Sequence, residues 1–289
     1  MKRRSDRCLN QTYRNLDLYV VDDASTDRTS DIVRSILPED PRMHLIQLKQ
    51  NGRTYSAKNL ILKQYCKGEF YAHQDADDIS WPGRFETQLA YLQSDPNTAA
   101  CGNGIDEFYV SEKDKPGVIS RFEAEFNEAD GLFHRKNLYE PILPQGLEGF
   151  SESYERGCLR ICMNGSLLFR SDAVKQIGGF DGRTPIGGDV ELLLRLRLFH
   201  DLANLQEILY SRRYHQGSLT KSLEYGHHTP VRVKYFNRLF EKLKSLRRLL
   251  DSGDTDELQI AAKEDMFTID CEQSVFHGGG ELDESSGSE

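Results

Sequence analysis

Long apolar runs are missing from this chain. The longest are on the scale of Leu18-Tyr-Val-Val21, far short of the ~20 residues a helix needs to cross a bilayer. Met1-Lys-Arg-Arg-Ser-Asp also lacks the apolar core of a secretory signal, so the expected location is cytoplasmic. Paired cysteines are missing too. The six (8, 66, 101, 158, 162 and 271) include no Cys-x-x-Cys and no zinc spacing, so they read as reduced structural thiols. Cys158 and Cys162 are the two that meet if they share a helix turn. Tryptophan is nearly absent, with Trp81 alone, and no internal repeat is present.

Net acidic charge is absent from most of the length. The formal net charge is −9, but from Asp251 onward twelve acidic residues face Lys263 alone, which leaves residues 1–250 at +2. A near-neutral body keeps a phosphate-bearing small substrate open. No nucleic-acid partner is expected.

What is present is alternation of strand-length apolar runs with helix-length amphipathic segments. Strands are predicted over Leu16–Val21, His44–Leu48 and Phe70–His73, and helices over Arg28–Leu37, Tyr55–Tyr65 and Gly83–Leu92. Such alternation implies an α/β fold with a mostly parallel sheet covered by helices. Residues 101–162 are mixed in character and read as short strands and loops. A short capped helix is predicted over Ser171–Ile177, a turn at Gly178–Asp181, and a helix over Asp189–Phe199 with carboxylates in its first turn. Pro230–Leu250 reads as a longer helix with an apolar side and seven Lys or Arg against Glu241. A helix of that kind either lies on an anionic membrane surface, giving peripheral contact through 230–250, or packs on its own domain. The expected division is a domain over 1–222 with halves at about 1–100 and 101–222, a C-terminal helical extension over 223–275, and an acidic tail over 276–289 too polar to fold.

Ligands of open α/β sheets collect at the carboxyl ends of strands. Asp22 and Asp23 follow the first predicted strand, and Asp75, Asp77 and Asp78 follow the third, so both groups fall on that edge. Adjacent carboxylates repel unless a cation lies between them. Taken alone, Asp-x-Asp is as well explained by a polar turn before a helix. Trp81 either stacks on a sugar or anchors the helix entry before Pro82.

Four separated segments carry a resemblance. Gln11–Asp17 running into Val20-Val-Asp-Asp-Ala-Ser-Thr-Asp27, then Asn51–Asn59, then Asp75–Asp78, then Gly178–Asp181 with Gly188–Leu192 together resemble family 2 glycosyltransferases of the GT-A fold, over roughly residues 8–220. The resemblance implies inverting transfer of a sugar from a nucleotide diphosphate, UDP in the first instance, to a hydroxyl of a glycan or lipid-linked acceptor. It implies Asp77 as ligand of Mg²⁺ or Mn²⁺, with Asp75 facing both the ribose and the metal's water shell; Asp78, just before the next helix, reads as its cap. Asp22 and Asp23 match the contacts to base and ribose. Arg53 and Lys58 fall where a cation balances phosphate or holds the base, Lys58 standing where Arg is usual. Asp189 is the implied base. His215, in Arg213-Tyr-His215, is implied as a further metal ligand or a phosphate contact.

Two departures accompany the resemblance. Gly188 replaces the family's usual Glu, and the buried strand that normally opens the family has no counterpart in Met1–Thr12. The expectation is a domain short of that strand, which is either lost or supplied by another part of a larger protein. The alternative function is therefore a catalytically impaired nucleotide-sugar-binding module. A phosphohydrolase built on Asp75 and Asp77 leaves Asp22, Asp23 and Asp189 unexplained.

Overall fold

The structure is a computed structural model that describes residues 8–109, 113, 164–226, 229–263 and 274–278, with the backbone alone at 125–127, 132–134 and 142–143. The Cys158–Cys162 pair and the opening residues 1–7 lie outside the described residues.

Strand β1 (Leu18–Asp22) runs parallel to β2 (Met43–Leu48), and the helix α1 (Thr29–Ile36) crosses between them. The period of two settles which side chain goes where. Leu18 and Val20 join Val33, Ile36, Met43 and Leu45 under α1, while Tyr19 and Val21 join Ile46, Leu48, Leu60 and Ile61 on the opposite face. That second face is covered by α2 (Thr54–Leu60), whose last turn widens over Ile61–Tyr65 so that the Cys66 N–H reaches the Ile61 carbonyl at 2.8 Å. Strand β3 (Phe70–Ala72), the short β4 (Ile79–Ser80) and α3 (Arg84–Ser94) follow. The first hundred residues thus fold at nearly the boundaries their periodicity predicts.

The next strand departs from expectation. β5 (Thr98–Phe108) is eleven residues long and buried throughout, although all but its first three residues fall in the stretch read as short strands and loops. Its sequence, with Gly102, Asn103, Gly104, Asp106 and Glu107, carries no strand pattern because it is enclosed on both faces and pairs on both edges. On one side it runs parallel to β10 (Asp201–Arg213), and on the other antiparallel to β9 (Leu168–Arg170). Gly104 is required by a bulge in β10: a Cβ there meets the Glu207 and Gln206 carbonyl oxygens at 2.9 and 3.0 Å.

The strands form two main sheets. β1, β2 and β11 (Ser274–Gly278) make one; β3, β9, β5, β10 and β4, with β8 (Ile142–Leu143) also on β10, make the other. Between β5 and β8 lie β6 (Glu125–Asn127) and β7 (Leu132–His134), an antiparallel pair. Pairing is mixed rather than mostly parallel, because β9 returns antiparallel between β3 and β5 and β4 folds back on β10. β11 pairs antiparallel with β2 through Gly278, so residues 276–278 of the expected unfolded tail form a strand, and 279–289 lie outside the described residues. Among the described residues β1 and β3 each pair with a strand on one edge only, and a cavity of about 740 Å³ is lined by both, reaching Lys58, His73 and Asp75.

Helices α4 (Ser171–Gln176) and α5 (Gly188–Leu196) pack with α6 (Pro230–Ser252) and α7 (Thr255–Ala262) on one cluster. Thr229 caps α6 by accepting the Arg232 N–H, Pro230 starts it, and Gly253 ends it at φ 75°. Leu239, Leu243 and Leu246 of α6 are buried against Leu192, Leu196 and Leu258 in that cluster. Of the two readings of this basic helix, packing on its own domain is the one the fold adopts. Among the described residues no helix is long and apolar enough to cross a membrane. Leu243→Ala is expected to cost about 2–4 kcal/mol in urea unfolding; a helix resting on the domain only weakly would give less than about 0.5 kcal/mol.

Candidate active site

The acidic turn after β3 is held from below by an arginine that no motif marks. Arg84, fully buried at the start of α3, donates from Nη2 to the carbonyls of His73 (3.0 Å) and Leu167 (3.2 Å). Its Nη1 bonds Ser80 Oγ (2.6 Å), and its Nε bonds Gln88 Oε1 (3.1 Å). One guanidinium therefore pins both ends of the turn, a task its fixed fork suits. Tyr210 of β10 pins the middle: its hydroxyl donates to Asp78 Oδ2 at 2.9 Å and accepts the Asp75 N–H at 3.2 Å.

Asp78 is not a helix cap. It is buried, and its second oxygen accepts the Arg213 N–H at 2.7 Å, which fastens the turn to the end of β10; Gly83 caps α3 without a side-chain bond. Burial, reinforced by Asp75, pushes the Asp78 carboxyl up to about 7.

Asp75 points toward the interior, and burial raises its carboxyl above the usual range against the pull of Lys58. Its position depends on Gly165, where a Cβ would meet Asp75 Oδ2 at 2.9 Å and collide with the Tyr210 hydroxyl. Asp77 is more open. Its Oδ2 lies 2.9 Å from His215 Nε2, so the end of β10 delivers the histidine to the carboxylate that the resemblance paired it with.

Asp22 and Asp23 diverge. Asp22 is spent on its own loop, accepting the Ser25 N–H at 3.0 Å and the Ser30 hydroxyl. Burial works to raise its carboxyl, but these bonds hold it below the ordinary value. Asp23 reaches across to the neighbouring loop, where Oδ1 accepts the Gly52 N–H (2.6 Å) and Oδ2 the Arg53 N–H (3.1 Å). Turning two successive N–H groups onto one carboxylate places Arg53 at φ 69°, a conformation L side chains rarely adopt. The Arg53 side chain donates to the Arg183 carbonyl at 3.2 Å.

Lys58 is half-buried with its Nζ shielded from solvent, and that Nζ has no hydrogen-bond partner among the described residues. Burial lowers its pKa, while Asp75 and Asp189 oppose that shift. The next residue, Asn59, clamps α2 to the Gly-Gly-Phe turn by bonding the Phe180 carbonyl and N–H at 2.8 and 2.9 Å. Asp189 stands in the first turn of α5, after Gly187 in the left-handed conformation, and its Oδ1 accepts the Tyr55 hydroxyl at 3.0 Å. Trp81 donates from its indole to Ser211 Oγ at 2.9 Å, the anchoring role rather than a free stacking face, although 39 % of it is exposed.

The strand edge therefore gathers Asp75, Asp77, His215, Lys58 and Asp189 from four parts of the chain. Among the described residues no three His, Cys, Asp or Glu side chains converge into a metal cage. Asp77 Oδ2 and His215 Nε2 are nevertheless ligand atoms side by side, with Asp75 adjacent. That donor set fits a hard divalent ion that completes its shell with water and phosphate oxygens.

The architecture places the molecule among the GT-A glycosyltransferases. The family model described as Glycosyl transferase family 2 matches residues 1–155, and the chain belongs to that family. It is 34 % identical over 236 residues to an uncharacterized glycosyltransferase of Haemophilus influenzae, covering 80 % of this chain and 65 % of that one. Staphylococcus aureus TarS 1–349, solved in complex with UDP, superposes with a TM-score of 0.53 at 17 % identity over 74 % of this chain and 56 % of that one. The mannosyltransferase PcManGT from Pyrobaculum calidifontis, solved with GDP-Man and Mn²⁺, gives 0.52 at 17 % identity over 90 % and 68 %. The chain spans 38 to 65 % of the length of the first curated relatives it matches.

Proposed function

We propose that this chain transfers a sugar, with inversion, from a nucleoside diphosphate donor, UDP in the first instance, to a hydroxyl of a glycan or lipid-linked acceptor, with Mg²⁺ or Mn²⁺ bound at Asp77 and His215. The observation that carries the reading is the meeting of Asp77 Oδ2 and His215 Nε2 at 2.9 Å beyond the end of β3, on the edge where Lys58 holds a buried Nζ without a hydrogen-bond partner among the described residues. A transfer of this kind separates charge: the leaving diphosphate gains negative charge while the acceptor hydroxyl loses a proton.

When bound, the divalent ion supplies charge neutralisation of the diphosphate. The remaining tasks belong to the chain. Asp23 sets the Gly52–Arg53 loop and stands where base and ribose would be read. Lys58 places a positive charge, short of hydrogen-bond partners, beside Asp75. Asp189 holds Oδ2 for the acceptor proton, because Oδ1 is engaged by Tyr55. Attack from the side away from the diphosphate inverts the anomeric carbon.

Gly188 does not favour the impaired-module reading. A Cβ at that position would meet the Tyr55 ring at 2.9–3.0 Å, so the glycine accompanies a tyrosine packed where a side chain at 188 would start. The test is calorimetry of UDP with Mn²⁺. Asp77→Ala is expected to weaken metal-dependent UDP binding by at least about tenfold, the scale of losing one charged ligand, while leaving the melting temperature unchanged. Equal affinity in the variant, or UDP binding indifferent to chelator, contradicts the metal assignment.

A further inference from the structure

We infer that Tyr55 is a positioning residue for Asp189: it fixes the carboxylate so that one oxygen alone faces the acceptor, and Gly188 is the space that lets it do so. The inference rests on the proposed function and adds a residue to it.

Tyr55 lies in the first turn of α2, a segment otherwise given to Lys58 and Asn59. Its ring is buried and stacks on Phe180 with centroids 5.7 Å apart and planes 21° apart. Phe180 is in turn fastened to α2 by both bonds of Asn59. The ring also lies against the start of α5, where a Cβ on Gly188 would come 2.9 Å from Tyr55 Cδ2. The ring is thus held by an aromatic and a helix terminus. A hydroxyl on a ring so held has one direction, and in that direction lies Asp189 Oδ1 at 3.0 Å.

The consequence is geometric. A first-turn aspartate has free rotation about Cα–Cβ and can turn back to cap its own helix N–H groups. The bond from Tyr55 removes that freedom, and Oδ2 is left without a hydrogen-bond partner among the described residues. Lys58, Asp75 and Arg232 are the charged groups that face this region from α2, the acidic turn and α6. None of them makes a hydrogen bond to Asp189, so among the described residues the orientation falls to Tyr55.

The test uses Tyr55→Phe, which keeps the ring, its stacking and its contact with Gly188 and removes the hydroxyl alone. UDP release from UDP-glucose, UDP-galactose and UDP-N-acetylglucosamine is followed with Mn²⁺, with water as the acceptor. The expected result is a fall in kcat of about tenfold, the scale of one hydrogen bond to a charged group. Donor KM, UDP affinity and melting temperature should match the parent, a split that a merely structural role would not produce. Crystals of the variant are expected to show the Asp189 carboxylate rotated from its parent position, a readout independent of turnover. Parental kcat, or an unmoved Asp189 in the crystal, overturns the inference. Asp189→Asn measured alongside separates the two ideas: if it also releases UDP at the parental rate, the base assignment itself fails, whereas loss there with no effect of Tyr55→Phe removes only the tyrosine.

Discussion

Asp189→Asn is expected to lower transfer by at least about a hundredfold, the low end of what general-base catalysis contributes, with UDP affinity in Mn²⁺ within about twofold of the parent. Asparagine has the shape of aspartate and still accepts the Tyr55 hydroxyl, so the side chain stays where it is. It cannot take a proton at neutral pH. The helix loses one carboxylate from its first turn, a matter of about 0.3–1 kcal/mol, so the variant folds. The donor contacts proposed for Asp23, Lys58, Asp75 and Asp77 do not involve Asp189, which none of the four bonds. A variant that binds UDP like the parent and transfers nothing isolates the base. One that transfers at the parental rate assigns the proton to another group.

Glu191→Ala is expected to destabilise the protein by about 3–5 kcal/mol, the cost of stranding a buried charge. Glu191 Oε1 accepts Arg195 Nε at 2.7 Å and Lys242 Nζ at 2.8 Å, and Oε2 accepts Arg195 Nη2 at 2.7 Å. Arg195 is fully buried and continues to the carbonyls of Ile177 (2.6 Å), Gly179 (2.6 Å) and Ala262 (3.3 Å). This network joins α5, the Gly-Gly-Phe turn, α6 and α7, and so fixes the helix that carries Asp189. Removing the glutamate leaves a guanidinium enclosed without its counter-charge. Burial works to raise the Glu191 carboxyl, but Arg195 and Lys242 outweigh it and hold it below the ordinary value of 4.5. A depressed folded pKa gives stability that is present above the unfolded value and is lost as pH falls through the folded one. The parent should therefore lose stability below about pH 4.5 more steeply than Glu191→Gln in urea titrations. Equal slopes, or a cost under about 1 kcal/mol for Glu191→Ala, contradict the network's role.

The chain's periodicity reveals its early elements because β1, β2, α1 and α2 each bury a regular set of apolar side chains. β5 stays hidden for the opposite reason. Its backbone is enclosed by neighbours on every side, so Ala99, Gly102 and Gly104 serve as well as Val or Ile, and polar residues such as Asn103 are tolerated inside. In the site, Asp23, Asp75, Asp77, Lys58, Asp189 and His215 stand out through motif order, and the structure brings the last five toward one edge. The supports are invisible in one dimension. Arg84, Tyr210 and Asn59 act on residues far along the chain, and nothing local marks a buried arginine as the prop of an acidic turn. Asp78 reads as a cap in sequence for the same reason, since its partners Tyr210 and Arg213 come from β10. Gly188 departs from the family pattern in one dimension and is matched by the Tyr55 ring in three.

The most direct measurement is turnover followed by phosphorus NMR, with Mg²⁺ in place of paramagnetic Mn²⁺, across UDP- and GDP-linked sugars offered with and without simple glycan acceptors. Free nucleoside diphosphate is expected to accumulate from at least one donor, to stop accumulating when chelator is added, and not to form with Asp189→Asn. Donors left intact by the parent throughout, or nucleoside diphosphate released equally by the parent, the chelated parent and Asp189→Asn, would contradict the proposed transfer.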